Sequence, residues 1–265
     1  MKICLSYSVD SNYIDYARRS ISSLNKTSPG VYAYLDLINS ESNDFSDLQN
    51  IILAHSFTDI KDETITIKNK SSHIAKERLV KLTGAYANLK KVCNIYKLLT
   101  EYDFDYVGNM DADNLITKNL NDFFETIKDV DADMFLKFSH KGILAGEELT
   151  KRKNNFKSFD LSLINLETQD RHFREGCMII KNTPISRKFY KIISENILNK
   201  IAWYGDSFWI AYAYKSLKEE LKISELPNAF VAYDIKTELD PYVVSGYDGN
   251  KHSKEYFDAI KRLNE

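Results

Sequence analysis

Residues 104–116 read "FDYVGNMDADNLI", an apolar run that ends on two aspartates separated by one alanine. "FDYVGNM" reads as a strand, and "LITKNLNDFFETI" from Leu115 supplies a turn and then a helix. Asp111 and Asp113 therefore stand at the carboxyl end of a strand, the edge at which open α/β sheets bind ligands. A short, hard pair of carboxylates in that place can hold a divalent cation while leaving coordination sites open for phosphate oxygens. The same pattern recurs as Asp131-Ala132-Asp133, but there it precedes its strand, "MFLKFSH". Acidic residues in that position end a helix or fill a turn, so the second copy is read as structural.

Working outward, the chain opens with "KICLSYSV", in which Ile3, Leu5, Tyr7 and Val9 alternate as in a buried strand. Asp10 or Ser11 can then cap a helix carrying Tyr13, Ile14, Ala17, Ile21 and Leu24 at helical spacing. "VYAYLDLIN" from Val31 and "ETITIKN" from Glu63 read as strands, with a helical "SDLQNIILAH" between them and a long helix from about Ser72 to Tyr102. Beyond "MFLKFSH" a polar passage runs from Lys141 to about Asp170, including "KRKNNFK", which reads as a solvated loop. "EGCMIIKN" resumes a strand, Pro184 opens a helix, "GDSFWIAYAYKSL" begins another, and "SKEYFDAIKRLNE" is a short amphipathic helix. Alternating strands and helices predict an α/β fold.

The chain has 265 residues, with 36 Lys+Arg against 38 Asp+Glu and a formal charge of -2. A chain of this size buries roughly three quarters of its unfolded surface, so its core needs neither disulfides nor a structural metal. The balance of charge argues against nucleic acid or an anionic membrane as the main partner. Cys4, Cys93 and Cys177 are far apart in apolar surroundings and read as reduced core thiols. No run of about 18 apolar residues and no signal-peptide pattern is present. A cytoplasmic protein without an integral membrane segment is the expectation, and its oligomeric state stays open.

Four segments, in order, resemble glycosyltransferase family 8. "SVDSNYIDYARRSISSL" from Ser8 is similar to that family's nucleotide-binding opening, and "YVGNMDADNLI" to its metal motif. "FREGCMIIKN" from Phe173 is similar to its Phe-Asn-x-Gly strand, and "WYGDSFWI" from Trp203 to its Asp-Gln helix start. Arg174, Glu175 and Ser207 depart from the pattern, and "GYDGNKHSK" from Gly246 is a loose substitute for the closing His-x-x-Gly-x-x-Lys-Pro-Trp.

The resemblance implies a GT-A nucleotide-diphospho-sugar transferase fold over residues 1–265, with a mixed central sheet flanked by helices and residues 221–265 as a C-terminal extension closing the site. It implies a metal-dependent transferase moving a hexose, with retention, from a UDP-sugar to a glycan or other hydroxyl acceptor. By the same transfer Asp10, Asn12 and Tyr13 contact the nucleoside, while Asp111 and Asp113 bind the metal and the ribose-pyrophosphate. His252 would be a third metal ligand, which tilts the choice towards manganese over magnesium. Lys90 and Lys91 fall near the diphosphate, and Asp206 and Glu175 near the sugar. Each also has a plain structural role open to it: a helix cap for Asp10 and Asp206, a core aromatic for Tyr13, a solvated face for the lysines, Glu175 and His252. Two other functions compete. In a haloacid dehalogenase-like phosphatase Asp111 would be a nucleophile and Gly205-Asp206 would bind magnesium, although Leu115 and "SFWIA" do not match that class. A non-catalytic nucleotide- or carbohydrate-binding module is the other.

Overall fold

The computed structural model describes residues 1–41, 45–60, 64–69, 76–138, 173–199, 201, 205–227, 229–233, 240–246 and 251–264. The first half contains β1 (Ile3–Val9), α1 (Ile14–Thr27), β2 (Tyr32–Ile38), β3 (Ile51–Ser56), β4 (Thr64–Asn69), β5 (Lys76–Lys81) and α2 (Leu82–Glu101). Then come β6 (Tyr106–Met110), β7 (Leu115–Ile116), α3 (Leu120–Ile127), β8 (Met134–Phe138) and β9 (Phe173–Lys181). The chain continues with α4 (Pro184–Ser194), α5 (Gly205–Leu217), β10 (Ile223–Glu225), β11 (Val231–Ala232), β12 (Val243–Val244) and α6 (Lys254–Asn264).

The expected mixed sheet flanked by helices is what forms: its order is β10-β8-β9-β6-β1-β2-β3, and only β9 pairs antiparallel with both of its neighbours. β1 explains the layering. Ile3, Leu5, Tyr7 and Val9 join the core beneath α1 and α3, with Ile21, Leu24, Phe123 and Phe124. Cys4 points the other way, into a core built from Leu89, Val92 and Ile95 of α2, Phe189 and Ile193 of α4, and Ile210 of α5. Burying each such aliphatic or aromatic side chain contributes about 1.5–3 kcal/mol.

Two expectations fail. Residues 46–55 do not form a helix: Asn50 takes a positive φ of 52°, and β3 runs parallel to β2 from the pair Ala33–Ile51 to Ile38–Ser56. The β-branched pair Ile51-Ile52 suits that edge position better than the spacing of apolar residues suggested. The long helix begins at Leu82, because residues 76–81 pair antiparallel with β4 from Thr64–Lys81 to Asn69–Lys76. The polar passage 141–170 lies outside the described residues.

The second Asp-Ala-Asp copy is structural, as read. The Asp133 carboxylate accepts from Thr183 Oγ1 at 2.6 Å and from the Lys222 amide at 3.0 Å, while Asp131 pairs with the Lys222 ammonium at the surface. Residues beyond 221 also join the main sheet, since β10 pairs parallel with β8. β11, β12 and β7 form a separate small sheet, and α6 docks against it through Leu115, Val244, Tyr256 and Ala259. No described helix is long and apolar enough to cross a membrane.

Candidate active site

Parallel pairing of β1 with β6 carries Asp10 and Asp111 to the same edge of the sheet, and the antiparallel β9 brings Gly176 there from the other side. The turn after β6 is held tightly. Asp111 N donates to Gly176 O at 3.0 Å, Asn114 N to Asp111 O at 3.1 Å, and the Asn114 side chain to Gly176 O at 2.9 Å. A Cβ on Gly176 would collide with Asp111 Oδ2, and one on Gly246 would lie 2.6 Å from Asp113 Cγ. Glycine at both positions lets backbone approach the two carboxylates.

Each carboxylate faces a lysine. Asp111 Oδ1 is paired with Lys91, whose side chain is 4% exposed on the inner face of α2. Burial alone would lower the pKa of that ammonium, but Asp111, and behind it Asp206 and Asp113, outweigh the burial and hold it raised and charged. Asp113 Oδ2 lies 2.9 Å from the Lys251 ammonium. Burial, and then the neighbouring charge of Asp111, push the Asp113 carboxyl above its ordinary range against the pull of both lysines. Asp206 is buried in the first turn of α5, one residue inside the helix, and its charge is felt at Lys91. Three carboxylates thus share one edge with two ammonium groups.

Asp10 is buried and fully engaged. Its Oδ1 accepts from Asn12 N at 3.0 Å, and its Oδ2 from Asn12 Nδ2 at 3.1 Å and Thr83 Oγ1 at 3.2 Å. It therefore shapes the turn before α1 instead of capping the helix, whose first flanking residue is Tyr13 and carries no side-chain cap. Asn12 is exposed at the mouth of this turn, and Tyr13 packs at the margin of the core and against Tyr16, ring centres 5.6 Å apart. Lys90, one residue from Lys91, is half-buried on α2, where its charge opposes the burial that pushes the Cys93 thiol up to about 12. Glu175 lies on β9, and its side chain is outside what the structure describes. His252 is exposed, and from its segment it is Lys251 that reaches Asp113. The sequence signal for Lys251 is the lysine of the closing pattern that "GYDGNKHSK" loosely resembles. Gly176 is the glycine of the Phe-Asn-x-Gly pattern, whereas Asn114 and Gly246 lie inside the matched segments without a signal of their own.

Hard divalent cations take oxygen ligands, and magnesium-like sites commonly use only one or two protein carboxylates, the rest being phosphate and water. Asp111 and Asp113 fit such a site. Among the described residues no group of three His, Cys, Asp or Glu side chains forms a closed one.

No protein-family model matches the sequence, and no curated protein does. Solved structures do match in shape. The bifunctional glycosyltransferase WbbM superposes with a TM-score of 0.55 at 13% identity, over 98% of this chain and 49% of that one. An active-site mutant of the galactosyltransferase LgtC gives 0.54 at 14% identity, over 100% of this chain and 95% of that one. GlyE of Streptococcus pneumoniae gives 0.54 at 14% identity, over 100% of this chain and 62% of that one. The chain has the GT-A fold. It spans about half of WbbM and 62% of GlyE but nearly all of LgtC. Within a GT-A fold the Asp-x-Asp follows β6, deep in the sheet, and not the first strand as the phosphatase alternative requires.

Proposed function

We propose that the protein is a metal-dependent glycosyltransferase that moves a hexose from a UDP-sugar to a hydroxyl of a glycan or other acceptor. The observation that carries this reading is the joining of Asp111, Asp113, Lys91 and Asp206 at the carboxyl edge of β6 in a GT-A fold. Breaking the sugar-phosphate bond builds negative charge on the departing nucleoside diphosphate. Manganese or magnesium held by Asp111 and Asp113 supplies positive charge to that leaving group when bound. Lys91 keeps Asp111 oriented and adds a second, permanent positive charge to the same edge. The turn fixed by Asp10 presents Asn12 to the polar edge of a pyrimidine, with the Tyr13 ring as a flat neighbour. Asp206 faces the sugar from α5, and Glu175 and His252 stand as further candidates for the sugar and the metal. A cytoplasmic setting suits the three free thiols, of which Cys4 and Cys177 are buried.

The test is donor hydrolysis. Incubation with a panel of nucleotide sugars and manganese is expected to release nucleoside diphosphate slowly, and a chelator to stop it. A protein that binds sugars or nucleotides but hydrolyses none of the panel would be a binding module instead.

A further inference from the structure

Lys251 makes more of the candidate site than an ion pair. Its ammonium lies 2.9 Å from Asp113 Oδ2 and 3.3 Å from Tyr13 Oη, and 5.0 and 5.2 Å from the ring centres of Tyr13 and Tyr16. A carboxylate, a phenol and two aromatic rings form a cage for one ammonium group. Those are also the groups assigned above to the donor: Asp113 to the cation and the Tyr13 ring to the base. An ammonium and a divalent cation repel each other strongly within one coordination shell, so both cannot sit on Asp113 Oδ2 at once.

We propose that Lys251 is a tethered competitor, a latch that must leave Asp113 and Tyr13 before cation and nucleoside occupy them; this rests on the donor-site reading given above. The latch is local. Tyr256 Oη donates to Asp113 O at 2.7 Å, Tyr256 and Ala259 pack on Leu115 and Val244, and Lys26 donates to the Leu263 carbonyl. α6 therefore stays docked while Lys251 and the two residues between it and the helix swing out. The released ammonium stays within one side chain's length of the site, so the exchange keeps the local positive charge while swapping its source.

If the latch is closed nine-tenths of the time, it weakens apparent cation affinity about tenfold. Manganese binding to the full chain, read by the loss of the free-ion paramagnetic resonance signal, measures this without any turnover. Lys251→Met, which keeps the aliphatic stem, is expected to bind manganese about tenfold more tightly than the unmutated protein, and Lys251→Arg to bind it as the unmutated protein does. Equal affinity in the Met variant and the unmutated protein, with uridine diphosphate binding intact in both, overturns the latch and leaves the donor site standing. Failure of every form to bind either manganese or uridine diphosphate overturns both. Should the Met variant not fold, residue-resolved hydrogen exchange of the unmutated protein decides: added manganese is expected to speed exchange at residues 251–253 and not at residues 254–264. Slower or unchanged exchange at residues 251–253 with manganese bound overturns the latch.

Discussion

Asp113 is costly to keep ionised, and that cost makes its role measurable. Its pKa is raised, first by burial and then by Asp111, so it stabilises the fold fully only below its unfolded pKa, and that contribution is lost as pH rises through the folded value. Asp113→Asn removes the buried charge at neutral pH but strands Lys251, and the two effects oppose each other. The variant is expected to melt close to the unmutated protein while losing several kcal/mol of leaving-group stabilisation, which is about two to three powers of ten in turnover. Asp131→Asn, at a surface pair with Lys222, is the matched control and is expected to leave turnover unchanged. Loss of folding in the first variant, or equal loss of turnover in both, would remove Asp113 from the metal site. Asp10 tests the nucleoside side. It accepts three hydrogen bonds that shape the Asn12 turn, so Asp10→Ala is expected to weaken binding of uridine diphosphate more than binding of pyrophosphate. Equal weakening of the two ligands in calorimetric titration would return Asp10 to a purely structural role.

At the scale of elements, what the sequence made legible depended on how fully a segment is covered. β1, β2, β6 and α1 were readable because burial on both faces or on one helical stripe leaves a strong pattern, as Ile3, Leu5, Tyr7 and Val9 illustrate. β3 was misread because an edge strand is only half covered, and its apolar residues then mimic helical spacing; its pairing with β2 decides it. Residues 76–81 run straight into α2, and only their antiparallel pairing with β4 separates the two. In the site, Asp111 and Asp113 were visible as a motif, whereas Lys251 depends on how a distant segment folds back over 138 positions of chain. The α4 start was legible too, and it carries a prediction. Thr183 forms a capping box with Ser186 and also donates to Asp133. Thr183→Ala is expected to destabilise the protein by about 1–2 kcal/mol without changing turnover per folded molecule, as denaturant titration paired with an assay can establish. Gly246→Ala acts in the opposite sense: its Cβ would crowd Asp113 at Cγ and at the carbonyl, so activity and manganese binding are expected to fall more than stability does. If its turnover matches that of the unmutated protein, this approach of backbone to Asp113 has no part in the site.

If the whole molecule is the transferase proposed above, one sheet edge selects the donor and sets the stereochemistry of the product. The β1–α1 turn, the turn after β6, and β9 with the start of α5 follow one another along that edge, so on the proposed reading the donor is expected to lie with its nucleoside, diphosphate and sugar in that order. The β1–α1 turn offers the small polar group of Asn12 beside one tyrosine, which suits a pyrimidine better than a purine. Uridine diphosphate is therefore expected to bind more tightly than the guanosine, cytidine and thymidine diphosphates in manganese, with tightest binding of the guanosine form counting against the nucleoside assignment. Stereochemistry turns on the sugar end. An inverting transferase needs a general base beside the acceptor hydroxyl. Among the described side chains Asp206 is the carboxylate that α5 brings to this edge, and it already works electrostatically within the cluster around Lys91. A carboxylate that balances a buried ammonium is a poor proton acceptor, because protonating it would leave Lys91 less well compensated. Retention, in which the departing diphosphate itself lies on the face that the acceptor approaches, makes no such demand on Asp206. Proton NMR of the first product is expected to show the donor's anomeric configuration. The opposite configuration would transfer the base role to Asp206 or Glu175, and replacing each in turn by the amide would show which of them abolishes transfer while sparing donor binding.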